Sequence, residues 1–269
     1  MSSFVTYVTA DRVLEIDHLS LEEAVVGFGK GVFDEISVAE SKTGKGQPLV
    51  VSIGGIALTV VPMAFPLPGD AYTEALRRNL VWAEALPTLL AAKVHIIVAA
   101  LNNPTTHAES FRTAKAMTIL VAAVTKCISG SAIVWTEGQT VSPPKDFMDA
   151  AAHLSRGKTP VTQWTSMLFE QHSNGTAGKK ILTVMTDGLI PFIGRELELK
   201  SKLPPHEAAM RILGLCQYLI ENGLVIKDGD TVGLTDAEEL KAAYLAHGFR
   251  PDIPIVQIVQ NIRSGTAFS

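Results

Sequence analysis

Charged residues gather in a stretch of the sequence that is otherwise apolar. Residues 194–198 are Gly-Arg-Glu-Leu-Glu, and residues 228–230 are Asp-Gly-Asp. Carboxylates beside a guanidinium are groups that hold a divalent cation or exchange a proton with a substrate. If the fold brings these side chains together, they form a candidate site of five residues: Arg195, Glu196, Glu198, Asp228 and Asp230.

The two glutamates stand two positions apart, and this spacing limits the chemistry that they support. In a regular strand over residues 193–199, alternation places Glu196 and Glu198 on one face and Arg195 with apolar side chains on the other. The carboxylates are then about 7 Å apart, within reach of a shared cation or a basic partner. A retaining glycosidase needs about 5 Å and a sugar-sized cleft, which one strand does not supply. The alternative expectation is an exposed edge strand with solvated glutamates.

Arg195 is unusual because the alternation places its charge on the apolar face. Burying an unpaired guanidinium is expensive, so the side chain needs a carboxylate or several carbonyl oxygens as partners. Asp228 or Asp230 is the carboxylate that we expect to meet it. A structural ion pair and a contact to a ligand are both consistent with this position.

The aspartates and histidines do not form a complete metal-binding motif. Asp228-Gly229-Asp230 is typical of a tight turn, since Asp accepts hydrogen bonds from nearby amides and Gly tolerates positive φ. The further acidic positions of a calcium-binding EF-hand are missing. His206 and Glu207 begin a zinc-protease helix motif, but Met210 stands where the second histidine is required. The sequence also lacks the Gly-x-Ser-x-Gly and Cys-x-x-Cys motifs, so we expect no metal and no cofactor.

The elements that must position these residues follow an α+β pattern. We predict one domain over residues 1–269, with a mixed, mainly antiparallel sheet and helices packed chiefly on one face. Periodicity and turn residues predict strands near 4–9, 36–40, 49–53, 56–63, 94–101, 131–135, 161–170, 181–190 and 193–199. They predict helices near 21–28, 71–90, 105–127, 143–154 and 204–222, and Pro87 is the position where the second can bend. Glycines at 44 and 46 and a polar stretch at 172–178 indicate hairpin connections.

One predicted strand, residues 94–101, is nearly all apolar. This pattern is typical of a strand covered on both faces, so we expect it to lie at the centre of the sheet. His95 lies within it. It is either a hydrogen-bonded core histidine, which we favour, or a buried acid or base.

Composition excludes several classes of protein. The chain has 269 residues, 47% of them hydrophobic, which is enough for a large core. Its net charge of −4 gives no broad cationic surface for nucleic acid or anionic lipid. Two cysteines do not make a disulfide framework, the most apolar helical run is too short to cross a membrane, and no secretory signal begins the sequence. We therefore expect a cytoplasmic protein.

A family resemblance rests on the same charged residues. Gly194-Arg195-Glu196-Leu197-Glu198, an amphipathic helix and then Asp-Gly-Asp-Thr-Val-Gly at 228–233 resemble the C-terminal signature of an uncharacterised bacterial domain family. The resemblance covers residues 181–244. Some members of that family look like immunity proteins encoded beside type six secretion toxins. The resemblance therefore implies a binding role with a cognate toxin protein as partner, and it supplies no catalytic residues.

Three hypotheses for function follow. The first is a cytoplasmic binding protein that neutralises its cognate toxin, because a mildly acidic chain suits a basic partner. The second is a hydrolase or other enzyme that uses the five charged residues, with or without a divalent cation, in a concave pocket that shifts their pKa values. The third is a structural or dimerisation module, a homodimer with a large apolar patch around its edge strands.

Overall fold

The computed structural model describes residues 4–12, 16–39, 48–174, 179–233 and 240–260. The glycines at 44 and 46 and the hairpin tip at 175–178 lie outside the described residues. The chain divides into two compact units, residues 1–166 and 167–269. The single domain expected from the sequence stays a prediction, and each unit is described by itself.

The first unit is built on a seven-stranded sheet whose strand order is β2-β3-β4-β5-β1-β6-β7. All its neighbouring strands pair antiparallel. The strands are β1 Val5–Ala10, β2 Ile36–Val38, β3 Leu49–Ile53, β4 Ile56–Met63, β5 Val94–Ala100, β6 Ala132–Trp135 and β7 Thr140–Ser142.

The expected central strand is confirmed, since β5 is the middle strand of this sheet. His95 within it is buried, and its Nδ1 lies 3.0 Å from the carbonyl oxygen of Phe65. Its ring packs edge-on against Tyr7 and Phe65. His95 is therefore the hydrogen-bonded core histidine that we favoured.

Among the described residues of this unit, the α-helices that accompany the sheet are α1 His18–Gly29, α2 Thr73–Arg78, α3 Ala85–Ala91, α4 His107–Ile128, α5 Pro144–His153 and α6 Val161–Trp164. A capping box of Thr106 and Glu109 begins α4, whose middle is buried on every side. Trp164 Nε1 donates to Thr118 of α4, and the Trp164 ring stacks on Trp135, so α4 and α6 cover the face that carries Trp135. The short helices α2 and α3 pack on the other face, against Val134 and Val141.

Two predicted elements are only partly correct. The helix expected over 71–90 is two short helices, because the side chain of Asn79 accepts from Trp82 N at 3.0 Å and donates to Trp82 O at 2.6 Å, which holds a turn between them. Pro87 lies in the first turn of α3, where its missing amide hydrogen costs nothing. Residues 161–164 are helical, so the strand expected over 161–170 begins only at Ser166.

The second unit has a six-stranded sheet whose order is β11-β12-β13-β10-β9-β8. The β10–β13 pair is parallel, whereas β9–β10, β11–β12 and β12–β13 are antiparallel. The α+β class with mainly antiparallel strands is thus confirmed, and the strands form two sheets. The strands are β8 Ser166–Asn174, β9 Lys179–Asp187, β10 Glu196–Ser201, β11 Thr231–Val232, β12 Leu240–Leu245 and β13 Ile255–Gln260.

The described part of this unit also contains the helices α7 Ile190–Ile193 and α8 Pro205–Asn222. The helix predicted over 204–222 is confirmed, with a buried stripe along one side and Gly223 at positive φ after its end. The strands predicted over 181–190 and 193–199 are corrected, because β9 ends at Asp187 and the chain forms α7 before β10 begins. In the part of the chain that the structure describes, no helix has the length and apolarity to cross a membrane.

Candidate functional site

Glu196 begins β10 and is almost completely buried, with 3% of its surface exposed. Its Oε1 accepts hydrogen bonds from the amides of Gly188 at 2.9 Å, Leu189 at 3.0 Å and Ile190 at 3.2 Å. Its Oε2 accepts from Thr186 Oγ1 at 2.7 Å. The carboxylate therefore caps the amides that lead into α7. The expectation of a solvated glutamate on an edge strand is wrong here, because β10 lies inside the sheet.

The surroundings of Glu196 raise the pKa of its carboxyl group. Burial raises its pKa to about 7, and the negative charge of Asp187 adds to the rise, while the hydrogen bonds from Thr186 and two amides lower it. Asp187 is itself paired with Arg250, whose Nη2 donates to the carbonyl oxygen of Thr186 at 2.8 Å. Because Glu196 accepts hydrogen bonds at Oε1 and at Oε2, both of its oxygens are occupied by donors of the protein itself.

Glu198 is fully buried and joins three parts of the second unit. Its Oε2 accepts from the amide of Phe249 at 2.7 Å, and its Oε1 accepts from Gln257 Nε2 at 2.8 Å. Lys200 Nζ lies 3.3 Å from Oε1. A Cβ at Gly248 would collide with this carboxylate, so the loop approaches it closely only because position 248 is glycine. The solvated edge position expected for Glu198 is also wrong.

Arg195 finds carbonyl oxygens rather than a carboxylate. Its Nη1 donates to Leu245 O at 3.1 Å and to Ile255 O at 3.3 Å. The guanidinium lies over the ring of Tyr244, 4.4 Å from its centroid, in a cation–π contact. The expected pairing with Asp228 or Asp230 is therefore corrected: Arg195 ties together the adjoining ends of β12 and β13.

The two aspartates form the predicted turn. Asp228 Oδ1 accepts from the amide of Tyr244 at 2.7 Å, and Asp230 Oδ2 accepts from the amide of Lys227 at 2.7 Å. Gly229 between them has a φ of 85°. Nowhere in the described ranges do three or more His, Cys, Asp or Glu side chains gather as a metal ion would require. Each of the five predicted residues thus holds backbone of its own unit in place.

A different set of residues was missed by the sequence reasoning. Large aliphatic side chains are exposed between positions 80 and 90, and we call Leu80, Val81, Leu86 and Leu90 the aliphatic segment. Their exposed fractions are 70%, 94%, 48% and 67%, in that order. The signal was present in residues 85–90, where Ala-Leu-Pro-Thr-Leu-Leu is apolar on all sides of a short helix. Since Ala85 and Leu89 pack on the sheet, the leucines beside them face outward.

One protein-family model matches part of the chain, at residues 185–258. The match is to a domain of unknown function, DUF4261. It includes all of α7, β10, α8, β11 and β12 and contains the five predicted residues. No curated protein and no solved structure is significantly similar to the chain. The DUF4261 match supports the resemblance of the C-terminal region to an uncharacterised domain family.

Proposed function

We propose that the protein is an immunity-type binding protein that neutralises a cognate secreted toxin in the cytoplasm. We place the aliphatic segment in its contact with that toxin. The resemblance of residues 181–244 to a family with immunity-like members supports the binding role. The observation that carries the proposal is the exposure of four large aliphatic side chains within eleven residues. Exposed apolar groups that form one patch are characteristic of protein interfaces.

The backbone beneath the aliphatic segment is fixed. Asn79 holds the turn at Trp82 through two hydrogen bonds, and Trp82, Ala85 and Leu89 pack in the core cluster of α2, α3, β6 and β7. A rigid surface loses little conformational entropy when a partner binds. Full burial of an exposed Leu or Val side chain contributes about 1.5–3 kcal/mol relative to water, and Leu86, which is already half-buried, contributes less. These residues therefore suit a binding hot spot.

Charge indicates the chemistry of the partner's surface. Between positions 79 and 92 the only charged residue is Glu84, which is exposed, and the whole chain carries a net charge of −4. A toxin with an apolar patch bordered by basic groups complements this surface and is steered towards it. The hydrolase alternative lacks comparable support, because Glu196 and Glu198 direct their oxygens at donors of the protein itself.

The test is co-expression with the toxin encoded by the neighbouring gene. We expect the wild-type protein to restore growth and to co-purify with the toxin. The double variant Leu80→Ser, Val81→Ser should weaken binding by about 100-fold, since about 3 kcal/mol of apolar burial is lost. Isothermal titration calorimetry measures this change, and circular dichroism establishes that the variant is folded.

Leu19→Ser is the matched control, because Leu19 on α1 has the same 70% exposure as Leu80. It should bind like the wild type. If the toxin kills equally with and without this protein, and the two do not co-purify, the proposed function is wrong. If the double variant binds as tightly as the wild type, the toxin contacts another surface.

A further inference from the structure

The first unit has a cleft of about 320 Å³, at the small end of the range for ligand sites. Three pieces of chain form it. These are the β3–β4 turn with the start of β4 at residues 54–57, the segment 102–105 that follows β5, and the first turns of α4. The cleft shares no residue with the aliphatic segment or with the DUF4261 match.

The walls of the cleft are fixed by the fold. Gly54 and Gly55 have φ values of 58° and 79°, which glycine adopts without strain, and Phe33 packs so closely that no Cβ fits at position 54. Leu101 N donates to Ala57 O at 2.9 Å, which keeps the end of β5 beside β4. Arg112 Nη2 donates to Gly54 O at 2.8 Å and joins α4 to the turn. The cleft is therefore formed without a ligand.

Two opposite charges line the cleft without neutralising each other. Glu109 and Arg112 are three residues apart on α4, and among the described residues they form no ion pair with one another. Arg112 carries five N–H donors and uses Nη2 on Gly54 O. The hydrogen bonds that the Glu109 carboxylate accepts from Thr105 and Thr106 all go to Oε2, which leaves Oε1 without a described partner. The amide of Thr105 is the main cause of a lowered pKa at Glu109, so this carboxylate is ionised at neutral pH.

A hydroxyl in the wall adds a polar group to the cleft. Thr113 is 5% exposed and lines the cleft. A hydroxyl both donates and accepts hydrogen bonds, so it can contact either end of a polar ligand. The exposed side chains of Asn102 and Asn103 add donors and acceptors at the rim.

We propose that this cleft binds a small zwitterion of the α-amino-acid type, with its carboxylate at Arg112, its ammonium at Glu109 Oε1 and a hydrogen bond to Thr113. Charge balance favours this class of ligand. A simple anion is repelled by Glu109 and a simple cation by Arg112, whereas a zwitterion satisfies both groups. Charge-assisted hydrogen bonds at both ends also fix its orientation.

Saturation-transfer NMR with the full chain and the twenty free amino acids tests the proposal. We expect a signal from one amino acid or a few related ones. The N-acetyl derivative of that amino acid lacks the ammonium, and its amide lacks the carboxylate. Each should bind about tenfold more weakly or worse, because each loses a charge-assisted hydrogen bond.

Three variants locate the site. Arg112→Gln and Glu109→Gln each remove one charge, and Gln is a normal partner in a capping box, so the start of α4 is kept. Thr113→Val removes only the hydroxyl. All three should weaken binding, whereas the control Arg156→Gln changes the same charge as Arg112→Gln at an exposed position outside the cleft and should not.

Several results would overturn the proposal. One is the absence of a signal from any of the twenty amino acids. Another is equal affinity for the amino acid and for a derivative that lacks one of its charges. A third is unchanged affinity in both Arg112→Gln and Glu109→Gln. None of these results bears on toxin binding, which is measured separately.

Discussion

A carboxylate buried in a sheet is unfavourable unless the protein supplies donors, and β10 carries two of them. Glu196 receives three amides and a hydroxyl, and Glu198 receives an amide, a carboxamide and an ammonium group. Such hydrogen-bond networks stabilise the fold most when every polar atom is paired, and removal of one member leaves the others without partners. At this scale the charged residues of the second unit stabilise its fold.

The pKa of Glu196 predicts a pH dependence of stability. Burial raises this pKa from its ordinary value of 4.5 to about 7, so the folded protein binds more protons than the unfolded chain between these pH values. The contribution of Glu196 to the free energy of unfolding is therefore fully present below pH 4.5. It is lost as pH rises through about 7, a change of up to about 3 kcal/mol. Denaturant unfolding of the wild type and of Glu196→Gln across this range measures it.

The difference between the two proteins isolates Glu196. Burial also raises the pKa of Glu137 in the first unit to about 7, which produces a slope of the same sign in both proteins. The wild-type advantage over Glu196→Gln should shrink as pH rises from 4.5 to 7 and stay constant above that. An advantage that stays level across the range would contradict the prediction.

Arg195 permits a test of the two roles that its sequence position left open. Arg195→Gln removes the contact with the Tyr244 ring and the hydrogen bonds to Leu245 O and Ile255 O. We expect a loss of about 1–2 kcal/mol in the free energy of unfolding, measured in denaturant. Arg195→Lys keeps the charge but lacks the planar guanidinium. Its free energy of unfolding should therefore lie between those of the wild type and Arg195→Gln. Unchanged stability together with weaker toxin binding would instead show a ligand contact.

At the scale of elements, glycine positions show where two pieces of backbone or side chain meet. Gly248→Ala places a methyl group against the Glu198 carboxylate and Ile255, so we expect a loss of about 1–3 kcal/mol. Gly27→Ala, within α1 and with open space around its Cβ, should instead gain about 0.5–1 kcal/mol from helix propensity. Thermal and denaturant unfolding distinguish the two. Equal effects would show that the approach at position 248 is not tight.

Elements with a strong local signal were predicted from the sequence. The apolar stripe and flanking Pro and Gly define α8, the continuous apolar run defines β5, and the Asp-Gly-Asp turn follows from side chains that bond neighbouring amides. Each of these patterns lies within a few residues. Local physical chemistry is enough to determine them.

The burial of the glutamates could not be predicted in the same way. The alternation of polar and apolar residues along β10 is the same whether its polar face contacts water or other parts of the protein. The groups that cover Glu198 are the amide of Phe249 and the side chain of Gln257, which lie 51 and 59 residues further along the chain. The turn at Asn79 was missed for a different reason, since Leu80 and Val81 continue an apolar helical pattern and the break is made by one side chain. Long-range contacts therefore decided the burial of the glutamates, whereas a single local side chain decided the turn.

At the scale of the whole molecule, the two compact units predict separable folding. Residues 166–269 contain every strand of the second sheet together with α7 and α8. We expect this fragment to fold alone and to show one cooperative thermal transition by circular dichroism. Dispersed amide signals in an NMR spectrum are the second measurement. A fragment without a transition would favour the single domain that the sequence predicts.

The parallel pairing of β13 with β10 has a consequence for biosynthesis. β13 lies between β12 and β10, yet it is made after every other described strand. Until residues 255–260 leave the ribosome, β11 and β12 have no strand that connects them to β10, and Glu198 lacks Gln257. The first unit, complete at residue 166, is free to fold while the rest is being translated. A nascent chain halted before residue 255 therefore presents a folded first unit and an open, unpaired sheet edge to chaperones and proteases.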